Sequence, residues 1–478
     1  MGMCCSCGCL RGEFEDRAEG GAECLSLEFE KHLEKSLKIE GSGVRRSIFV
    51  LERGKGAFEE GRVLCVDLGG NSLKIAVVCV DGEKKGAEGR MRVEGVFGSG
   101  CEKKKEGRGF FIKNGVYLTE IPKKGDKIRD EKTLYEWIGE EVFRFRALLP
   151  HGADLPRRGA LTFSFPLQNN GRRVEVVRYT KNARWKPVEG PESGKEEPLK
   201  ELNRVLGELV RFEVIVNDAM AAFLSGLQRS SSVALGVVVG TGTNGAYLED
   251  GEEFRKKDEK GNSNGNYPIG SIVNTEWGGY SGPAVAALQD EESRKVDADS
   301  SDAGRYIAEK MVGGIYFKEW VNIAFRNAAL RAYRGSERRE EVKKSLGGVE
   351  IRNEEMEEMD AVAGKLRAAV GLEEDAERLG SIFQEVYNER NGKKQHILAG
   401  FISAIIRKKI RKNNGQRKIT VNMNGSGCAS EKMRKELKKK IEEVLDSTAK
   451  EKIEVELVYD ENASLTGAAY ALVMKSWG

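Results

Sequence analysis

The sequence predicts an α/β fold built from two similar halves. Apolar runs typical of strands alternate along the chain with segments whose apolar residues recur every three or four positions, as on one face of a helix. In two places an apolar strand passes directly into a glycine turn, at Gly69-Gly70 and at Gly240-Thr241-Gly242. Glycine supplies 57 of the 478 residues, well above its usual share of about 7%. This excess at strand ends predicts turns whose backbone amides bind phosphate.

Local patterns place the individual elements. A four-residue repeat of Leu and Phe predicts a helix over 25–37, and apolar runs on either side of Gly69-Gly70 predict a strand hairpin over 63–78. The remaining elements alternate in the same way. They are a helix over 133–149, strands over 159–165 and 174–179, a strand over 214–216 with a helix over 219–227, a strand over 233–239, exposed charged helices over 331–359, a helix over 433–444, a strand over 453–457 and a helix over 466–474.

The composition excludes two classes of protein. The 79 Lys and Arg residues nearly balance the 76 Asp and Glu residues, so the net charge is only +3 and no strong field attracts nucleic acid. No apolar run approaches the ~18 residues of a membrane-spanning helix, and the longest candidate is 233–239. The sequence therefore predicts a soluble globular protein that does not bind nucleic acid.

The N-terminus fits an acylation motif. Gly2 followed by Ser6 matches the pattern for N-myristoylation, and Cys4 and Cys5 are available for palmitoylation. One myristoyl chain binds bilayers only marginally, so the cysteines are what would make an anchor stable. A flexible tail is the alternative, and zinc binding is disfavoured because the sequence lacks a second ligand pair at finger spacing. We predict a cytoplasmic protein, with acylation as the hypothesis for a membrane-attached pool.

The two glycine turns form the first candidate site. Asp67 ends a strand, and Gly69-Gly70 removes side chains from the next turn, so that backbone N–H groups can approach an anion. Lys74 adds positive charge on the following strand. The turn over 240–243 offers amides and hydroxyls, although neither turn has the Gly-Lys-Ser/Thr ending of a P-loop. A hairpin turn explains each one alone, whereas the pair predicts a polyphosphate held from two sides.

A second candidate follows the strand over 214–216. Asn217-Asp218 lies at the end of that strand, where ligands collect in α/β folds. Asp218 is either a general base or the N-cap of the following helix, because Asp is also a preferred cap residue. Residue type alone leaves both interpretations open.

The basic run over 407–412, reinforced by Arg417 and Lys418, is a candidate for binding nucleic acid or lipid headgroups. A solvated helix C-terminus explains it better, because Lys and Arg there complement the helix macrodipole and a strand over 419–421 follows. We therefore predict an exposed helix end.

Three further segments resemble the eukaryotic hexokinase family. They are Leu-Thr-Phe-Ser-Phe-Pro over 161–166, Val-Asn-Thr-Glu-Trp-Gly over 273–278 and Glu-Lys-Met-Val-Gly-Gly-Ile-Tyr over 309–316, in the order that this family has them. The hairpin at Asp67, the pair Asn217-Asp218 and the turn over 240–244 fall where the family has its first phosphate turn, its catalytic aspartate and its second phosphate turn. The resemblance extends from about residue 25 to about residue 472.

The resemblance implies the two-lobed actin-like ATPase fold, which is ribonuclease H-like, with a cleft between a small and a large α/β domain. It also implies a single catalytic unit, since each motif occurs once, and we expect a monomer. The expected regions are a disordered N-terminal tail over 1–24, an N-terminal helix packing on the large lobe over 25–60, the small lobe over 61–217, the large lobe over 218–459 and a C-terminal helix returning to the small lobe over 460–478.

The resemblance further implies roles for individual residues. Asp218 would take the proton from the 6-hydroxyl of a hexose, assisted by Lys181, and the alkoxide would attack the γ-phosphate of Mg-ATP. The metal would lie near Asp67 and Asp218 through bridging water. The residues implied to bind sugar are Ser164, Phe165, Pro166, Thr180, Lys181, Asn217, Asn244, Glu276 and Glu309, and those implied to bind the nucleotide are Asp67, Gly69, Gly70, Asn71, Lys74, Thr241, Gly242 and Ser426.

Two loops depart from the family pattern. The first phosphate turn usually continues Gly-Gly-Thr-Asn-Phe-Arg, whereas this chain has Gly-Gly-Asn-Ser-Leu-Lys over 69–74. The family's Asp-Gly-Ser-Gly-Lys-Gly loop is replaced by Glu-Asn-Ala-Ser-Leu-Thr-Gly over 461–467.

The predicted function is an ATP-dependent hexokinase that phosphorylates glucose and related hexoses, the first step of glycolysis. A sugar-binding sensor with weakened phosphoryl transfer is the alternative, and a structural or chaperone ATPase is disfavoured by the first two segments.

Overall fold

The computed structural model describes residues 18–38, 48–50, 61–80, 91–94, 103–104, 110–123, 125–151, 153–169, 174–176, 185–188, 196–249, 271–412, 417–447 and 452–475. The strands are β1 (Ile48–Val50), β2 (Gly61–Leu68), β3 (Ser72–Val80), β4 (Met91–Val93), β5 (Lys103–Lys104), β6 (Phe110–Lys113), β7 (Val116–Glu120), β8 (Arg158–Phe163), β9 (Leu167–Asn169), β10 (Val174–Val176), β11 (Arg211–Val216), β12 (Val233–Val239), β13 (Thr243–Glu249), β14 (Ser271–Asn274), β15 (Lys418–Asn424) and β16 (Glu454–Tyr459).

The helices are α1 (Ala18–Lys38), α2 (Lys127–Glu131), α3 (Leu134–Leu148), α4 (Pro198–Leu206), α5 (Asp218–Arg229), α6 (Pro283–Ala286), α7 (Glu291–Ala298), α8 (Ile307–Val312), α9 (Gly314–Ala332), α10 (Arg339–Gly347), α11 (Met359–Val370), α12 (Glu373–Lys412), α13 (Glu431–Asp446) and α14 (Ala463–Lys475). Short 3-10 turns lie at Trp277–Gly279, Asn353–Glu355 and Ser426–Cys428. Among the described helices, none is long and apolar enough to cross a membrane.

Two mixed sheets form the framework. The first has the strand order β11-β8-β2-β3-β7-β6-β5, with β4 beside β3, and its strands β11, β8 and β2 are parallel. The second has the order β1-β14-β13-β12-β15-β16, with β12, β15 and β16 parallel. Each sheet thus joins a parallel part, which needs helical crossovers, to an antiparallel part. The predicted α/β fold is confirmed.

Strand pairing in the first sheet sets the position of the site. The predicted hairpin is present as β2 and β3, with Asp67 paired to Lys74. Parallel pairing of β2 with β8 places Asp67 beside Thr162. The amide of Ser164 then donates to the carbonyl oxygen of Leu68 at 3.0 Å. The carboxyl ends of β2 and β8 therefore meet at one edge, which is where α/β sheets bind ligands.

Helices α5 and α14 pack closely between the sheets. Small side chains on both helices, including Ala221 and Ala468, are fully buried in a core that also receives residues of β2, β3, β12 and β13. At the crossing, Gly467 lies against the backbone of Ala221, and a Cβ atom on Gly467 would overlap the Ala221 carbonyl oxygen. Only glycine permits this close approach.

We expect Gly467→Ala to lower the free energy of unfolding by about 1–3 kcal/mol, because the added methyl group forces α5 and α14 apart. Gly364→Ala is the matched control, since Gly364 lies inside α11 and a Cβ atom there meets nothing within 4 Å. It should raise stability by up to about 1 kcal/mol through helix propensity. Denaturant unfolding of both variants checks this, and equal effects would contradict the close crossing.

The basic run over 407–412 corrects a sequence prediction. It does end helix α12, but Arg407 and Lys408 are buried rather than solvated. Arg407 donates to the Ser26 hydroxyl at 2.6 Å and pairs with Glu30, and Lys408 lies 3.3 Å from the carboxylate of Glu249. These acids lie on α1 and β13, so the run joins the N-terminal helix and the second sheet to α12.

Two other expectations differ from the structure or fall outside it. Helix α1 begins at Ala18, inside the segment expected to be a disordered tail, because Ala22 is already buried in the core. The proposed acylation residues Gly2, Cys4 and Cys5, and the proposed sugar residues Thr180 and Lys181, lie outside the described residues.

Candidate functional site

A cavity of about 320 Å³ lies between the ends of the two sheets. Every predicted site residue that the structure describes contributes to its wall. From the first sheet and its loops these are Asp67, Gly69, Gly70, Asn71, Lys74, Ser164, Phe165 and Pro166, and from the rest of the chain Asn217, Asp218, Thr241, Gly242, Asn244, Glu276, Glu309 and Ser426.

The two glycine turns lie next to each other in the wall of this cavity. A Cβ atom on Gly70 would lie 2.8 Å from both Cβ and Oγ1 of Thr241, so a larger residue in the first turn would push the second one away. A backbone hydrogen bond closes each turn. The amide of Gly69 donates to the carbonyl oxygen of Ser72 at 2.9 Å, and the amide of Gly240 donates to the carbonyl oxygen of Gly242 at 2.9 Å. Residues of both turns line the cavity, and backbone amides of such turns are typical anion-binding groups.

Asp67 is a buried carboxylate at the wall of the cavity. Its side chain accepts a hydrogen bond from the Ser464 hydroxyl at 2.7 Å, and Lys74 Nζ lies 3.8 Å away. Burial raises the pKa of the Asp67 carboxyl, while Lys74 and the Ser464 hydrogen bond oppose that shift and the charge of Asp218 adds to it. A cation bound beside Asp67 would favour the charged form of its carboxyl, as Lys74 does.

We expect Asp67→Asn to be more heat-stable than the wild type at neutral pH, by on the order of 1–3 °C. The folded-state pKa of Asp67 is raised above its ordinary value of 3.8, so the wild type loses stability as the pH rises from that value through the folded-state pKa. Thermal unfolding between about pH 4 and about pH 8 measures the difference, with exposed Asp154→Asn as control. An Asp67→Asn protein less stable than wild type at pH 7 would show that the pairs of Asp67 outweigh its burial.

Asn217, rather than Asp218, is the N-cap of helix α5. The Asn217 side chain accepts from the amide of Ala219 at 3.0 Å. Asp218 is the first helical residue, with one carboxylate oxygen accepting from the same amide at 2.8 Å. The helix therefore has its cap without Asp218, whose carboxylate lines the cavity.

A chain of amide side chains leads from α5 to Glu276. Asn244 donates to Asn274 at 2.7 Å and lies 3.4 Å from Asn217, and Asn274 donates to the Glu276 carboxylate at 2.6 Å. Glu276 adopts a left-handed backbone conformation with φ of 49°, which is unusual outside glycine. Buried polar groups linked in this way are held in a single arrangement.

Glu309 lies in the wall of the cavity rather than on a helix surface. It belongs to the short helix α8, and its carboxylate lies between the second glycine turn and the loop after Glu276. A Cβ atom on Gly242 would overlap that carboxylate, and one on Gly278 would lie 3.1 Å from Oε2. The Glu309 carboxylate fits here because Gly242 and Gly278 have no side chains.

The comparison with known proteins decides the family. Two family models, both described as hexokinase, match residues 22–227 and 234–474. The chain belongs to the hexokinase family. The predicted two-lobed actin-like fold is accordingly confirmed.

Several hexokinases are similar to this chain. Hexokinase-7 of Oryza sativa subsp. japonica is 25% identical over 299 residues, covering 61% of this chain and 57% of that protein. The hexokinase of Schistosoma mansoni is 27% identical over 277 residues, covering 55% of this chain and 51% of that protein. The chain thus spans about half the length of these curated relatives.

Solved hexokinase structures share the fold over nearly the whole chain. The structure of the Schistosoma mansoni hexokinase complexed with glucose has a TM-score of 0.69 and 21% identity, and the match covers 96% of each chain. A second structure, described as a crystal structure of hexokinase, has a TM-score of 0.63 and 18% identity with the same coverage.

Sequence reasoning did not single out some residues of this hexokinase site. Asn274 is fully buried and donates to Glu276, although its residue type indicates no role within the segment over 273–278. Ser464 donates to Asp67 and lines the cavity, whereas the sequence indicates only that the segment over 461–467 departs from the family pattern. Tyr306 lines the cavity in a left-handed conformation with φ of 57°. Adjacency to Glu276 was a usable signal for Asn274, whereas Ser464 reaches Asp67 only through the fold.

Proposed function

We propose that this chain is an ATP-dependent hexokinase that transfers the γ-phosphoryl group of ATP to the 6-hydroxyl of glucose or a related hexose, the first step of glycolysis. One observation carries the proposal. The cavity places Asp218, the amide and carboxylate chain ending at Glu276, and both glycine turns around one space. That space has an acceptor for a proton, a polar wall for a polyol and amides for phosphates.

The hexose side of the cavity suits a sugar. Asn217, Asn244, Glu276 and Glu309 lie together, and amides both donate and accept whereas carboxylates accept from hydroxyls. A hexose has hydroxyls that need this mixture of partners. The name of the Schistosoma mansoni structure, a hexokinase complexed with glucose, supports the same class of substrate. Ser164, Phe165 and Pro166 would close the pocket from the β8 side.

The phosphate side suits Mg-ATP. The cavity wall includes residues of the first turn and its strand, the second turn and the 3-10 turn after β15, and we propose that all of them bind the nucleotide: Gly69, Gly70, Asn71, Lys74, Thr241, Gly242 and Ser426. The acids Asp67 and Asp218 both line the cavity, and the charge of Asp218 contributes to raising the pKa of Asp67, so this pair fits a divalent cation held through water. When bound, Mg²⁺ supplies charge neutralisation on the phosphates.

The chain's own residues account for the transfer as follows. Asp218 accepts the proton of the 6-hydroxyl as the oxygen forms its bond to phosphorus, and the bond from that phosphorus to the ADP oxygen breaks. The amides of the two turns face the charge that develops on the phosphoryl oxygens. Thr180 and Lys181 are proposed on the resemblance alone, as sugar-binding residues, with Lys181 also assisting the transfer.

A sugar-binding sensor is the second candidate. It is favoured by the segment over 461–467, which contains no lysine and which includes the start of helix α14. The Thr466 hydroxyl donates to the carbonyl oxygen of Asn462 and contacts the Ser225 hydroxyl, and Thr466 does not line the cavity. This segment therefore supplies no positive charge to the phosphates.

Hexose-dependent release of ADP separates the candidates. The purified protein is supplied with Mg-ATP, with and without glucose, fructose or mannose. The release of ADP and the binding of the hexose are both measured. A hexokinase releases ADP only with a hexose, whereas a sensor binds hexose without releasing ADP. ATP hydrolysis that no hexose changes would reject both and favour a different ATPase of this fold.

A further inference from the structure

One carboxylate of helix α1 contacts the segment that follows Glu276. The apolar face of this helix packs on α12, with the ring of Phe29 4.5 Å from that of Phe401. Glu28 lies on the same helix and reaches the loop that follows Glu276. There its carboxylate accepts from the hydroxyl of Tyr280 and, at 3.0 Å, from the backbone N–H of Ala284.

The side chain of Tyr280 has little freedom. It is 7% exposed, and its ring lies 5.3 Å from that of Phe29 and 5.8 Å from that of Phe401. Burial raises the pKa of the Tyr280 hydroxyl, which therefore keeps its proton and donates to Glu28. A Cβ atom on Gly282 would overlap both the hydroxyl and the carboxylate, so the loop packs directly on this pair.

The backbone of Tyr280 connects the two acids that line the hexose side of the cavity. Its amide donates to the carbonyl of Trp277 at 2.9 Å, and its carbonyl accepts from the amide of Ala308 at 3.1 Å. Trp277 directly follows Glu276, and Ala308 directly precedes Glu309. The backbone of Tyr280 thus joins the loop that follows Glu276 to helix α8, which contains Glu309.

We propose that Glu28 is a positioning residue for the hexose. It holds Tyr280 and, through the backbone of Tyr280, fixes the spacing between Glu276 and Glu309. The inference rests on the proposed function, in which these two carboxylates accept from hexose hydroxyls. A carboxylate that accepts two hydrogen bonds restrains its partners more strongly than a neutral group does. Helix α1 is then part of the sugar site as well as a cover for the core.

The test compares hexose affinity with stability. Glu28→Ala, Glu28→Gln and Tyr280→Phe are assayed for glucose binding by calorimetry without nucleotide, for KM of glucose and of ATP, and for Tm. Glu34→Ala is the matched control, because Glu34 is an acid on the same helix whose ion pair is with Arg411. We expect Glu28→Ala to weaken glucose binding roughly tenfold and to raise the KM of glucose alike, while the KM of ATP is unchanged.

The remaining variants separate positioning from support of the fold. Glu28→Gln, which still accepts one hydrogen bond, should recover most of the glucose affinity. Tyr280→Phe keeps the ring in the core, so it gives an answer even where Glu28→Ala fails to fold, and its effect should not add to that of Glu28→Ala. Wild-type glucose affinity in Glu28→Ala or in Tyr280→Phe, with only a lower Tm, would overturn the inference. A wild type that binds glucose without phosphorylating it counts against the proposed function alone.

Discussion

Asp218→Ala is expected to lower kcat for hexose phosphorylation by roughly 10²–10⁴-fold while leaving the Kd of the hexose within a few-fold of wild type. The substitution removes the carboxylate that we propose as the acceptor of the proton from the attacking hydroxyl. It leaves the cap of α5 in place, because Asn217 makes its own hydrogen bond to the amide of Ala219. The loss should therefore fall on kcat rather than on folding or sugar binding.

Asp218→Asn is the matched variant for this prediction. Its side-chain oxygen can still accept from the amide of Ala219, as Asp218 does at 2.8 Å, but it cannot take up a proton at neutral pH. Both variants should lose activity to a similar degree, with Tm close to that of the wild type. Substantial activity in Asp218→Asn would show that another group accepts the proton.

Lys408→Met is expected to lower the free energy of unfolding by about 3–5 kcal/mol, the usual cost of removing one member of a buried ion pair. Lys408 is 4% exposed and lies 3.3 Å from Glu249, which is 2% exposed. Tyr247 also donates to Glu249 at 2.8 Å, which does not neutralise its charge. The substitution removes the lysine that forms an ion pair with this buried carboxylate.

Two further variants control the Lys408 result. Glu249→Gln combined with Lys408→Met removes both charges and should restore a large part of the loss. Lys439→Met removes a lysine that is 81% exposed and lies 3.6 Å from Glu443, so it should cost about 0.5 kcal/mol or less. Denaturant unfolding measures all three, and equal losses in Lys408→Met and Lys439→Met would contradict the burial of Lys408.

Local patterns predicted the elements that hold the site. Each of these elements has a local signal in the sequence, either a run or repeat of apolar residues or an adjacent glycine turn. They are the hairpin β2–β3, the strands β8, β11 and β12 and the helix α5. Asp67 and Asp218 are candidates because each lies near the end of such a strand, Asp67 in the last two residues of β2 and Asp218 two residues after β11. That these side chains face one cavity followed from strand-end geometry and from the family resemblance, and it could not be read from either motif alone.

Contacts between distant segments were not predictable. Arg407 and Lys408 form a charged run that is typical of a solvated helix end, and only the positions of Glu30 and Glu249 in the fold make their burial tolerable. Ser464 similarly meets Asp67 because α14 crosses the end of β2. Helix α1 was predicted too short, since glycines at 20 and 21 lower helix propensity while Ala22 gains its stability from burial.

Formation of hexose 6-phosphate tests the proposed hexokinase activity most directly. The wild-type protein is incubated with Mg-ATP and glucose, and glucose 6-phosphate is measured with a coupled dehydrogenase that accepts only that product. We expect continuous formation of glucose 6-phosphate that requires both substrates and that Asp218→Ala nearly abolishes. Glucose binding by calorimetry without any glucose 6-phosphate would contradict it and identify the protein as a sugar sensor.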